Sequence, residues 1–132
     1  MSKVAVVYWS GTGNTEEMAT VIAQAVSAEA FSVDSFTADM AANYDAFAFG
    51  CPSMGAEELE DSEFEPLWND VKASLSGKKV ALFGSYGWGD GEWMRTWADE
   101  CADMDLVGTC ICQDAPDDDA QAELVALAAA LS

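Results

Sequence analysis

The sequence predicts an α/β protein built on a five-stranded parallel sheet with helices on both faces. Two observations carry this. Short β-branched and aromatic runs alternate along the chain with apolar residues at helical spacing, the pattern of a parallel sheet covered on both sides. Several of these runs are continuously apolar, as strands buried on both faces must be.

Val4-Ala5-Val6-Val7-Tyr8-Trp9 is the first such run. A Gly-containing turn follows, and then Met18, Val21, Ile22, Ala25 and Val26 recur at helical spacing. Phe31 to Phe36 alternates with period two, as a strand nearer the sheet edge does. Around 37–43 a helical piece is either missing or short, and a third strand follows, Ala46-Phe47-Ala48-Phe49-Gly50. Phe64, Leu67, Trp68, Val71 and Leu75 mark the second helix, with Gly77 as its stop. Val80 to Gly84 is the fourth strand, and Trp93, Met94, Trp97 and Cys101 are the apolar face of the third helix. Leu106 to Cys112 is the fifth strand. Asp117-Asp118-Asp119 opens the last helix, where acids suit the positive end of the helix dipole, and Leu124, Leu127 and Leu131 form its inner face. The order is β-α-β-β-α-β-α-β-α, and residues 1–132 are expected to form one domain.

Composition excludes several function classes. The 132 residues hold 5 basic and 24 acidic side chains, a net charge of −19 that would repel a nucleic-acid backbone and disfavours anionic membranes. The same charge keeps small proteins apart in solution and steers them towards basic patches on protein partners. No run approaches the roughly 20 apolar residues of a membrane span. Met1-Ser2-Lys3 leads straight into a strand-like run, so no signal peptide and a cytoplasmic location are expected. Histidine is absent, and Cys51, Cys101, Cys110 and Cys112 lack metal-ligand spacing. Buried free thiols are expected, with Cys110 and Cys112 on one strand face.

Ligands of open parallel sheets bind outside the carboxyl ends of the strands, and three loops of unusual composition lie there. Ser10-Gly11-Thr12-Gly13-Asn14-Thr15 stands between a strand and a helix N-terminus, where close backbone approach, free N–H groups and the helix dipole bind an anion. It has no Lys or Arg, against a nucleoside-triphosphatase loop, and no Cys-Arg pair, against a cysteine phosphatase. A Ser/Thr-capped helix start is the structural alternative. Cys51 to Glu58 contains Pro52, Ser53, the polarizable Met54, the permissive Gly55, then Ala56 and Glu57, whose carboxylate suits an imide N–H. Glu58, Glu60, Asp61, Glu63 and Glu65 read as a solvated acidic face. Gly84-Ser85-Tyr86-Gly87-Trp88-Gly89-Asp90-Gly91 sets two aromatics among glycines, which suits a flat ring laid against another. A Trp88 that caps the adjacent helix is the alternative there, and Trp9 fits either the core or a lid near the phosphate.

Together the three loops describe a site for a phosphorylated planar ring. At this point the chain resembles the short-chain flavodoxins of clostridia and rumen anaerobes over essentially its full length. Tyr8 to Glu16, Met54-Gly55, Glu57 to Pro66 and Gly77 to Gly91 carry the resemblance. It implies a doubly wound, three-layer α/β/α fold with strand order 2-1-3-4-5, the order described for flavodoxins, and FMN at the β1/β3 switch point. It also implies a monomeric, low-potential one-electron carrier, not an enzyme, that moves FMN between semiquinone and hydroquinone and serves redox proteins with basic docking patches. A flavodoxin-like FMN-binding module without an electron-transfer role is the alternative.

In that family frame the phosphate sits on residues 10–15 with Ser53 assisting, Met54 covers the inner ring face and Trp88 the outer. Glu57 meets N3, and the N–H groups of Gly87, Trp88 and Gly89 meet the pyrimidine oxygen, with Ser85 and Tyr86 beside them. The Gly55–Ala56 peptide is the backbone switch that answers protonation at N5. Ala56 stands where Gly, Asp or Asn is common, and a positive φ there costs about 1 kcal/mol. Ala56→Gly is therefore expected to lower the first reduction potential.

Overall fold

The computed structural model describes residues 3–11, 13–54, 58–87, 89 and 91–131. Its five strands are β1 (Val4–Tyr8), β2 (Glu29–Ser32), β3 (Ala46–Gly50), β4 (Lys79–Tyr86) and β5 (Asp105–Gln113). Four helices alternate with them: α1 (Asn14–Ala25), α2 (Phe64–Val71), α3 (Glu92–Asp99) and α4 (Asp118–Leu131). All pairings are parallel and the order is β2-β1-β3-β4-β5, as the resemblance implied.

Alternation along the strands divides the core in two. Ala5, Val7, Phe47, Phe49, Val80 and Leu82 face α2 and α3, while Val4, Val6, Ala46, Ala48, Ala81 and Phe83 face α1 and α4. β3 shows the logic most clearly. Its alanines leave room for α1 and α4, and its phenylalanines join the aromatic side. There Phe49 meets Trp68 edge-on at 5.3 Å, and Trp97 packs edge-on to both Trp68 and Phe64 at 5.5 and 5.3 Å. Edge-to-face pairs of this kind add about 0.5–1.5 kcal/mol each beyond their buried area.

Two elements differ from expectation. The strand expected over Phe31–Phe36 ends at Ser32, and Val33–Ser35 forms a 3-10 turn. Val33 and Phe36 are both buried in one core layer, and a spacing of three suits a tight helical turn rather than a strand. β2 is also an edge strand with pairing on one side only, so little opposes the switch. The second helix yields at Val71 to a 3-10 turn, Lys72–Ser74, and Gly77 follows with φ +75°. Before β3 runs a 3-10 segment, Ala38–Asn43, and the carbonyls of Ala41 within it and Tyr44 just after it accept hydrogen bonds from the Lys78 ammonium.

All four cysteines are buried free thiols. Burial pushes Cys51, Cys101 and Cys110 up to about 12 and Cys112 to about 11, so each stays a protonated, unreactive thiol at neutral pH.

Candidate cofactor site

Because the strands are parallel, the loops that leave β1, β3, β4 and β5 converge on one edge of the sheet. A cavity of about 250 Å³ opens there, lined by Trp9, Gly11, Asn14, Pro52, Ser53, Met54, Ser85, Tyr86, Gly87 and Asp114. Gly11, Asn14, Pro52, Ser53, Met54, Ser85, Tyr86 and Gly87 were anticipated from the sequence. Thr12, Gly55, Ala56, Glu57 and Trp88 lie outside the described residues, so the turn hypothesis at Ala56 has no geometry to meet. Gly13, Thr15, Ser10 and Gly89 adjoin the cavity in sequence without lining it.

The first loop is braced by its own side chains. Gly13 takes φ +95° at the start of α1, a left-handed conformation that costs glycine nothing. The Ser10 hydroxyl oxygen accepts from the amides of Gly13 at 3.0 Å and Glu16 at 3.3 Å, so it braces the loop instead of serving only as a ligand donor. Gly11 lies under Trp9, where a Cβ would meet the indole at 3.1 Å. The Trp9 indole N–H donates to Glu63 at 3.1 Å, and the half-buried ring both packs against the core and lines the cavity. Thr15, directly after the cavity-lining Asn14, is 1% exposed, and its hydroxyl has no hydrogen-bond partner among the described residues. A buried hydroxyl left unsatisfied is unfavourable. A phosphate oxygen at the N-terminus of α1 would satisfy it. The donor set here is neutral hydroxyl, amide and backbone N–H, which fits a monophosphate.

Beyond the phosphate end the walls suit a flat ring. Met54 is 36% exposed, an unusual degree for a large apolar side chain that faces a cavity. Residues 54 and 58 bond to each other through both amides at 2.9 Å. Tyr86 leans on Trp93 at 5.7 Å between ring centres. Trp93 is anchored in turn by its indole N–H to the Cys51 carbonyl at 3.1 Å.

Three assignments change. Ser85 lines the cavity, but its hydroxyl donates to the Asp114 carbonyl at 2.6 Å, so the side chain supports the wall rather than the ligand. Glu60 does not belong to a solvated face. It is 6% exposed, and its carboxylate accepts from the amides of Ser62, Glu63 and Phe64 and from the Ser62 hydroxyl, capping the start of α2. Burial raises its pKa, but those hydrogen bonds outweigh it and hold the carboxyl below the usual range. Finally, Asp114 lines the cavity although sequence reasoning passed over it. The signal was its place just after the fifth strand, at the same sheet edge as the other three loops.

Fold and site together define a doubly wound α/β protein whose cavity at the carboxyl edge of its sheet fits a phosphorylated planar ring. A family profile for flavodoxin matches residues 6–126. The chain is 50% identical over 121 residues to a flavodoxin of Megasphaera elsdenii, covering 86% of this chain and 88% of the relative. It is 52% identical over 95 residues to a flavodoxin of Clostridium beijerinckii, covering 68% and 69%. The solution structure of two-electron reduced Megasphaera elsdenii flavodoxin superposes with a TM-score of 0.86 at 46% identity, over 98% of this chain and 99% of that one.

The chain therefore belongs to the flavodoxin family. Its cofactor is non-covalently bound FMN, and it is an electron-transfer protein serving redox partner proteins, not an enzyme. That membership disfavours a binding module without an electron-transfer role. No helix among the described residues is long and apolar enough to cross a membrane.

Proposed function

We propose that residues 1–132 form one FMN-binding domain that acts as a monomeric, low-potential carrier of single electrons in the cytoplasm, with neither nucleic acid nor membrane as partner. Bound FMN supplies the redox centre, cycling between its half-reduced and fully reduced forms. The protein supplies the seat and the field. Ser10, Gly11, Thr12, Gly13, Asn14 and Thr15 hold the phosphate, and the unpartnered Thr15 hydroxyl is the observation that carries this reading. Pro52 to Glu57 and Ser85 to Gly89 form the ring walls, with Met54 on one face and Trp88 on the other.

The surface around the cavity favours a basic docking patch on the partner. Glu16 and Glu17 in the first turn of α1, Glu58, Asp61, Glu63, Glu92, Asp114 and Asp117 to Asp119 are exposed near the carboxyl edge of the sheet. Lys3, Lys78 and Lys79 stand at the amino ends of β1 and β4, on the order of 15 Å away across the sheet. Three of the five basic residues thus stand away from the acidic rim, and such an excess of negative charge around the cavity orients an approaching basic partner towards the cofactor edge and raises the encounter rate.

The test is the visible spectrum of the purified protein during anaerobic dithionite titration. A flavin spectrum that passes through a stable one-electron stage supports the carrier. A colourless protein that takes up no added FMN overturns it.

A further inference from the structure

β5 carries two thiols that the cofactor site does not use. Cys110 and Cys112 stand two residues apart, about 7 Å along the strand. Alternation turns both side chains into the core layer shared with α1 and α4. Met18 of α1 comes down on this pair, with its Sδ 3.5 Å from the Cys112 Sγ. All three residues are buried, and none lines the cofactor cavity. The spacing of the cysteines gives no hint of such a group, because the third sulfur lies 94 residues earlier in the chain.

The donors sort the ions that this group takes. Among the described residues no three His, Cys, Asp or Glu side chains converge to hold a metal ion, so zinc and harder cations lack their ligands. Thiolate and thioether sulfur together select soft ions, Cu(I) foremost. Sulfurs that share one ion at about 2.3 Å stand about 4 Å apart in a trigonal array, and the contact between Met18 and Cys112 is already close to that span. A way in exists as well. A groove of about 440 Å³ runs between β5 and α4, and its walls include Thr109, Glu123 and Leu127. The Glu123 carboxylate lies 3.6 Å from the Cys110 Sγ, where it attracts a cation and receives a thiol proton.

We propose that Cys110, Cys112 and Met18 form a binding site for a soft monovalent metal ion, Cu(I), which clamps β5 to α1. Burial keeps the free thiols protonated, whereas a coordinated thiol is deprotonated outright. Binding therefore breaks two S–H bonds, forms three Cu–S bonds and releases two protons, the first by way of Glu123. No electron moves. The site stands independently of the reading of the cavity as the FMN seat.

The test offers ascorbate-reduced copper to the full-length protein without oxygen, against a competing Cu(I) chelator. Retained metal is counted by atomic absorption, and its neighbours are read by X-ray absorption. Wild type is expected to keep one Cu(I) per chain, with sulfur neighbours at about 2.3 Å, and to melt at a higher temperature when loaded. Cys110→Ala and Cys112→Val, apolar changes suited to a core, should each weaken Cu(I) by about a hundredfold or more. Cys112→Ala stands in should the Val variant not fold. Met18→Leu, which conserves volume, should cost about tenfold. Cys101→Ala removes a buried thiol outside the group and should change nothing. The proposal is overturned if wild type yields all its copper to the chelator, if the Cys110→Ala and Cys112→Val variants retain it equally, or if Cys101→Ala loses it as fully. Zn(II) held as tightly as Cu(I) would also overturn it. None of these readouts passes through FMN, so protein that takes up no flavin sinks the cofactor reading and leaves this test intact.

Discussion

Truncating Glu60 to alanine removes four acceptor contacts from one side chain. Its Oε1 accepts from the amides of Glu63 and Phe64, both at 2.8 Å, and its Oε2 from the Ser62 amide at 3.0 Å and the Ser62 hydroxyl. Losing a helix cap costs about 1 kcal/mol. The Phe64 amide, at a fully buried residue, would be left unsatisfied for about 1–3 kcal/mol. Favourable charge at the positive end of the helix adds about 0.3–1 kcal/mol. These contributions overlap, so the expected loss is about 2–3 kcal/mol at pH 7. Urea unfolding of the apoprotein, followed by far-ultraviolet circular dichroism, measures it.

The pH dependence gives an independent check. The folded-state pKa of Glu60 is depressed. Its contribution is therefore complete above the unfolded value, roughly 4.3, and is lost as pH falls through the lower folded value. Glu60→Gln keeps an acceptor for two of the amides but has no charge to lose. The stability gap between wild type and this variant should be flat from about pH 7 to 5 and close below pH 4. A loss below about 0.5 kcal/mol for Glu60→Ala, or a gap that persists unchanged in acid, refutes the assignment.

Thr15→Val removes the unpartnered hydroxyl at constant shape. Apoprotein stability should hold or rise by up to about 1 kcal/mol, while FMN affinity falls about tenfold and riboflavin affinity does not change; equal losses for both ligands would count against a phosphate contact. Gly84→Ala would bring a Cβ to 2.2 Å from the Cys51 carbonyl oxygen, the acceptor for Trp93. A loss of about 3 kcal/mol or more in urea is expected, and a near-neutral result would mean that the β3–β4 packing is looser than described. Trp9→Phe deletes the bond to Glu63. We expect about threefold weaker FMN binding with apoprotein stability within about 1 kcal/mol, measured by fluorescence titration and thermal melts.

The parts of this molecule legible in sequence are those written by local pattern. Continuous apolar runs located β1, β3 and β4, because a strand covered on both faces leaves no polar position to blur it. Trp93, Met94 and Trp97 announced α3 through their spacing, and all three are buried. The misreadings share another cause: each residue's role was decided by a tertiary contact that its local pattern does not encode. Phe31 to Phe36 alternates like a strand, but Phe36 turns into the core against Phe31 and Tyr44. Glu60 sits among acids, and only the return of the chain over Cys51, whose sulfur accepts the Glu60 amide at 3.3 Å, shows that it is buried. Asp114 carries no motif. It becomes a site residue because β5 pairs with β4 and delivers it to Tyr86 and Ser85.

The net charge of −19 was equally visible in the sequence, but not its arrangement, and the arrangement gives it consequence. Had lysines ringed the cavity, binding the phosphate would have been easy, and the reduced ring would have been stabilised by the same charges. Here Lys78 is committed to the carbonyls of Ala41 and Tyr44 at the opposite edge, and Lys72 is paired with Glu100 at 3.4 Å. On the proposed reading, affinity rests on short-range groups: N–H donors at the start of α1, the Thr15 hydroxyl and contact with a flat ring. Those interactions fall off within a bond length or two and act almost alike on oxidised and reduced cofactor. The acidic field reaches further and acts mainly on the form that gains charge.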